Sequence, residues 1–136
     1  MNELVANPAL HAAAIYIAIL AIGLFPLTLM VIRLRRGNSI GIGDGGNKEL
    51  AKAIRIHANY TENVPFALAI LLALPLLGSA TWSIHVVGLS VIIGRAAHAF
   101  GLSRTTGSSM GRVAGMVLTQ CGVLFGAFML LWLTLT

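Results

Sequence analysis

Arg55, Asn59 and Glu62 are the residues of this 136-residue chain whose types and spacing are best suited to chemistry. Positions i, i+4 and i+7 stack on one face of a helix. Arginine presents a fork that matches a carboxylate. Glutamate accepts from an ammonium group, and asparagine supplies both a donor and an acceptor. Together the three fit a zwitterionic ligand that bears a carboxylate. The same three groups also suit polar packing between helices. Glu49 and Lys52 extend this polar face toward the N-terminus, and Asn63 lies beside it.

Other polar side chains punctuate apolar runs. Arg33 closes the first run, Arg95 and His98 lie one turn apart in the third, and Arg112 opens the fourth. All four elements thus bring a cation or polar group to a similar depth. Basic residues at span ends also snorkel and set topology, which is the reading for Arg35, Arg36, Lys48 and Lys52. Arg33 fits either role. Arg95 reads as a ligand contact or as a structural ion-pair partner of Glu62 on a neighbouring helix. His98 reads as a base or a packing residue. His57 lies off the stripe and is expected to make a structural hydrogen bond. His11 and His85 read as interfacial or helix–helix polar residues. The histidines lack HExxH spacing, so no metal site is expected. Cys121 is the only cysteine, which excludes an internal disulfide. It sits in an apolar run as a packed or lipid-facing thiol.

The elements that must position these groups follow from composition. Hydrophobic residues make up 57% of the chain and charged residues 10%, against roughly 25% charged in an average soluble domain. A lipid-facing surface resolves that deficit. The net charge is +5, but the basic residues fall between hydrophobic spans and no nucleic-acid motif accompanies them. Lipid headgroups or an anionic small ligand are the expected partners, and nucleic acid is not.

The pattern is all-α: one transmembrane domain of four helices over residues 1–136. The first span covers about 9–32. At ~1.5 Å per residue it reaches roughly 36 Å, enough for a hydrocarbon core of about 30 Å. Pro26 predicts a kink within it. The run is too long for a signal-peptide core and no basic residue precedes it, so it reads as a retained helix. Residues 37–47 (GNSIGIGDGGN) form a glycine-rich loop without the Lys-Ser/Thr of a phosphate-binding loop. A polar helix then starts at Lys48 and becomes apolar over 64–77. A turn at 78–81 leads to a third span at 82–102, with Trp82 as an interfacial aromatic. A polar loop at 103–111 precedes the fourth span, 112–135. The nine Lys and Arg residues all fall toward one side of this arrangement. The positive-inside rule therefore places the loops after spans one and three in the cytoplasm and both termini on the other side.

The stretch Arg55-Ile-His57-Ala-Asn59-Tyr-Thr-Glu62-Asn63-Val-Pro65-Phe66 resembles the signature of the MAPEG family, the membrane-associated proteins of eicosanoid and glutathione metabolism. Polar residues at these fixed offsets are unusual at the entry to a span. Ile32-Arg33-Leu34-Arg35 resembles the end of the family's first helix, and Gly94-Arg95-Ala-Ala-His98 its third. Arg112 stands where an arginine opens the fourth. The likeness covers nearly the whole chain and is that of a bacterial member, with a compact first loop. It implies a homotrimer in the bacterial inner membrane that binds glutathione as co-substrate between subunits. Arg55, Asn59 and Glu62 would hold the glutathione peptide. Arg33 and Arg95 would add positive potential or structural pairing, His98 would join the cofactor-binding residues, and Arg112 is the candidate for stabilising the thiolate. A nearby cation lowers a thiol pKa from about 8.5, and the bilayer would deliver an apolar electrophile or a lipid hydroperoxide. There are two departures. Leu102 replaces a tyrosine found one turn after the third-helix histidine in several animal members. A Gly-Ser-rich insertion lengthens the approach to Arg112, so Arg104 is a rival for its role. A non-catalytic binder of thiols or lipids on the same fold is the competing expectation. A small drug exporter would need an acidic residue deep in the first span, and residues 9–32 contain none.

Overall fold

A computed structural model describes residues 6–105 and 107–136. They form four helices: α1 (Pro8–Gly37), α2 (Lys48–Leu76), α3 (Thr81–Arg104) and α4 (Met110–Leu135). Each start is set by local chemistry. The Asn7 side chain accepts from the Ala9 and Leu10 N–H groups, and Pro8 sits at a position that needs no N–H. Asn47 caps α2 through Glu49 and Leu50, and Ser109 caps α4 through Arg112 N–H. Gly78, at φ +77°, turns the chain between α2 and α3. Helix α1 continues through Pro26 to Gly37, longer than the hydrophobic stretch alone.

Helices α1, α3 and α4 are long and apolar enough to cross a membrane. The α2 helix is not, because its first half carries the polar stripe. It is one continuous helix from Lys48, with Pro65 near the junction of the polar extension and the apolar span. The four helices run up and down, which places the 38–47 loop, the end of α3 and the start of α4 at one end, called here the basic end. Many large apolar side chains point outward, among them Ile22, Phe25, Phe66, Phe128 and Trp132. That surface suits a bilayer and would be costly in water.

The apolar core occupies the half of the bundle away from the basic end. Ala13, Tyr16 and Leu20 of α1 meet Ala67, Leu71 and Leu74 of α2 and Ile84, Val87 and Val91 of α3. The α3–α4 contact is closer still. A Cβ on Gly115 would lie 2.5 Å from the Gly94 carbonyl oxygen and 2.5 Å from the His98 nitrogen, and one on Gly101 would lie 2.6 Å from Arg112 N. Helix backbones can approach this closely only across small residues. The consequence for the site is positional: this seam presses His98 and Arg112 together.

Candidate functional site

Toward the basic end the core changes from apolar to polar, and Arg95 is its centre. The side chain is only 4% exposed, and it lies ~14 Å short of the end of α3 at ~1.5 Å per residue. Its Nε donates to Thr119 Oγ1 at 2.9 Å. Nη1 donates to Asn59 Oδ1 at 3.1 Å and to the Asn59 carbonyl at 3.4 Å. Nη2 donates to the Gly115 carbonyl at 3.3 Å and reaches Met116 Sδ at 3.8 Å. Among the described residues no carboxylate pairs with it. Neutral acceptors on α2 and α4 replace the ion pair with Glu62 that was the structural alternative for Arg95. A buried charge is tolerable when its donors are satisfied in this way.

The stripe on α2 divides accordingly. Asn59 is buried and turned toward Arg95. Arg55 and Glu62 remain more than half exposed and lie 3.7 Å apart across two turns of the helix surface. One helical face thus supplies an interior hydrogen-bond partner and an exterior charge pair. Asn63 continues the network: its Nδ2 donates to the Asn59 carbonyl at 2.8 Å, and its Oδ1 accepts from Gln120 Nε2 at 2.8 Å. Thr119, Gln120 and Met116 were not among the site residues read from the sequence. The signal available for them was a Thr-Gln pair within an otherwise apolar span.

Next to this network lies a cleft of about 460 Å³ lined by His98, Gly107, Ser108, Arg112, Val113, Met116 and Val117. His98 is buried and stands within Coulombic reach of Arg95, Arg112 and Arg55. Arg112 is half-buried and donates from Nη1 to the Gly107 carbonyl. Val113 and Val117 are on the outer side of α4, so the cleft has a cationic wall and an apolar wall that opens laterally. Arg104 does not line it; its guanidinium lies 4.7 Å over the Phe100 ring. Leu102 is buried.

The remaining polar residues have local roles. Arg33 is exposed at the end of α1, apart from the cleft. His57 Nε2 lies 3.2 Å from Thr28 Oγ1, the structural bond expected of it. His85 Nδ1 lies 2.9 Å from the Tyr16 hydroxyl, a bond between α3 and α1. Lys52 pairs with Glu49 at 2.7 Å and donates to the Ser103 carbonyl at 3.3 Å, so it ties α2 to the end of α3 where free snorkelling was expected. Cys121 is exposed on α4. Among the described residues no cluster of His, Cys, Asp or Glu has the makings of a metal site.

The fold and these buried polar groups define an integral membrane protein built as a four-helix bundle. The chain belongs to the MAPEG family, whose model matches residues 13–132. It is 34% identical over 120 residues to the "Inner membrane protein YecN" of Escherichia coli strain K12, covering 88% of this chain and 90% of that protein. The same figures hold for the protein of that name in Escherichia coli O6:H1 strain CFT073. No solved structure matches.

Proposed function

We propose that the protein binds glutathione near the basic end and transfers its thiolate to apolar electrophiles that enter from the bilayer. The observation that carries this reading is the cleft itself. Arg112 and His98 line it together with the apolar side chains of Val113, Met116 and Val117. A thiol beside a guanidinium ionises more readily, and the thiolate is the nucleophile. The sulfur attacks an electrophilic carbon, a carbon–sulfur bond forms and the leaving group departs with its electron pair. With a lipid hydroperoxide, a first thiolate would cleave the O–O bond and release the lipid alcohol. A second glutathione would then displace water from the sulfenic acid to give the disulfide. The peptide part of glutathione carries two carboxylates and one ammonium group. Arg55 and Glu62 present complementary charges in an exposed position, suited to a ligand held between copies of the chain. A homotrimer with ligand at its subunit boundaries is part of the proposal, as is the orientation with both termini on the non-cytoplasmic side of an inner membrane.

The test is equilibrium binding of glutathione to the purified protein, with thiolate formation followed by ultraviolet absorbance, for wild type and Arg55→Ala. Saturable binding that the variant loses is the expected result. A well-folded wild type that binds no glutathione sinks the assignment. The buried Leu102, in place of a polar ring, favours a second reading in which the site binds a thiol without turning it over. Transfer of glutathione to an aromatic halide distinguishes the two: steady turnover eliminates the non-catalytic reading.

A further inference from the structure

The end of α1 holds a second candidate site, an open groove that the glutathione reading does not use. Ile32, Arg35, Arg36 and Ser39 fall at i, i+3, i+4 and i+7, one face of the helix and its exit. With Ile40 and Gly41 they line an open surface groove of about 460 Å³.

Basic residues at a helix C-terminus commonly serve its dipole and its unpaired carbonyls. Here those carbonyls have other donors. Leu34 O accepts from the Asn38 backbone at 3.2 Å and from Asn38 Nδ2 at 2.8 Å. Arg35 O accepts from Ile40 N at 3.0 Å, and Arg36 O from Ser39 N at 3.3 Å. Arg35 instead folds the loop, donating from Nη1 to the Gly41 and Gly43 carbonyls at 3.2 and 3.0 Å. Among the described residues Arg36 has neither a hydrogen-bond nor an ion-pair partner. Asp44 is the loop's own carboxylate, but its Oδ1 accepts from Gly46 N at 3.0 Å and it does not line the groove. Ser39 is the one non-glycine residue among the described residues with positive φ, at +54°, an uncommon conformation for a residue with a Cβ. That bend brings Ser39 to the groove beside the two guanidiniums.

The geometry points to a binding site for the phosphate of an anionic phospholipid. Arg36, Arg35 and the Ser39 hydroxyl would receive the headgroup, and Ile32 would line the start of an acyl chain. Charge complementarity selects the occupant: two guanidiniums without a counter-charge stand where an apolar span meets water, and an anionic headgroup fits that position better than a zwitterionic one. The site is separate from the Arg112 cleft and does not depend on glutathione binding.

The experiment places the whole protein in nanodiscs of phosphatidylcholine with a minor fraction of phosphatidylglycerol. The lipids retained after mild detergent extraction are then counted by mass spectrometry. Wild type should retain phosphatidylglycerol over phosphatidylcholine. Arg36→Gln should weaken that preference roughly five-fold, the ratio equivalent to ~1 kcal/mol per basic residue at an anionic surface. Ser39→Gly accepts the same backbone without strain, so it should fold normally and still lose part of the preference. Lys48→Gln removes a charge outside the groove and should leave retention unchanged. A loss with Lys48→Gln as large as with Arg36→Gln would overturn the site in favour of diffuse attraction. Displacement of the lipid by millimolar inorganic phosphate would overturn the lipid assignment in favour of a free-phosphate site. Equal thermal unfolding midpoints in pure phosphatidylcholine confirm that the variants are folded, so that a loss of retention bears on the groove alone.

Discussion

Arg95 Nη1 on α3 donates to Asn59 Oδ1 on α2 at 3.1 Å, in the buried interior of the bundle. That bond joins the helix carrying the Arg55–Glu62 pair to the helix carrying His98. Thr119 and Gly115 complete the arginine's acceptors from α4. Three helices are therefore registered against one another by a single guanidinium.

If Arg95 depends on Asn59, the loss of that acceptor should be visible in stability before activity is considered. Asn59→Leu should lower stability by about 1–3 kcal/mol, the usual range for leaving a buried polar group unsatisfied. Asn59→Asp should be tolerated better, because it restores an acceptor and adds an opposite charge. Thermal unfolding in detergent compares the two. Equal losses would show that Asn59 matters by its shape and not by its oxygen.

Arg112 and Arg104 make opposite predictions. Arg112 lines the cleft and Arg104 lies over Phe100. Under the proposed chemistry Arg112→Ala should abolish most turnover while glutathione binding largely survives, and Arg104→Ala should change turnover little. Single-turnover kinetics with an aromatic halide would decide between them, and unchanged turnover in Arg112→Ala would remove it from the thiolate role.

The glycine seam makes a prediction about packing. A methyl group at Gly115 would sit 2.5 Å from two backbone atoms of α3, neither of which can rotate away. Gly115→Ala should therefore destabilise the protein by about 1–3 kcal/mol. Because His98 supplies one of those backbone atoms, the variant should also disturb the cleft. Unfolding midpoints, read beside glutathione affinity, would show both effects; an unperturbed midpoint would mean that α3 and α4 can separate freely.

The proposed orientation can be checked with the native thiol removed. In a Cys121→Ser background, Gly41→Cys in the loop after α1 should react with a membrane-impermeant maleimide only after cells are opened, and Ala80→Cys, exposed in the turn between α2 and α3, should react from outside. The reverse pattern would invert the assigned topology.

The sequence by itself determined the membrane class, the number of helices and which end carries charge. Those properties depend on hydrophobic run length and on the sum of charges, and both are local. It also marked Arg55, Asn59, Glu62, Arg95, His98 and Arg112, because a polar group inside an apolar run is conspicuous in one dimension. What the sequence left open was the direction each side chain takes. Residues three or four apart share a helical face, but that face is wide enough for Asn59 to turn inward while Arg55 and Glu62 stay outside. The choice of Asn59 and Thr119 over Glu62 as partners of Arg95 was decided by helix packing, since only the close approach of α4 across Gly94 and Gly115 brings Thr119 within reach. The groove beside Ser39 was likewise a tertiary outcome: the loop folds back onto Arg35, and no periodicity in the chain encodes that fold.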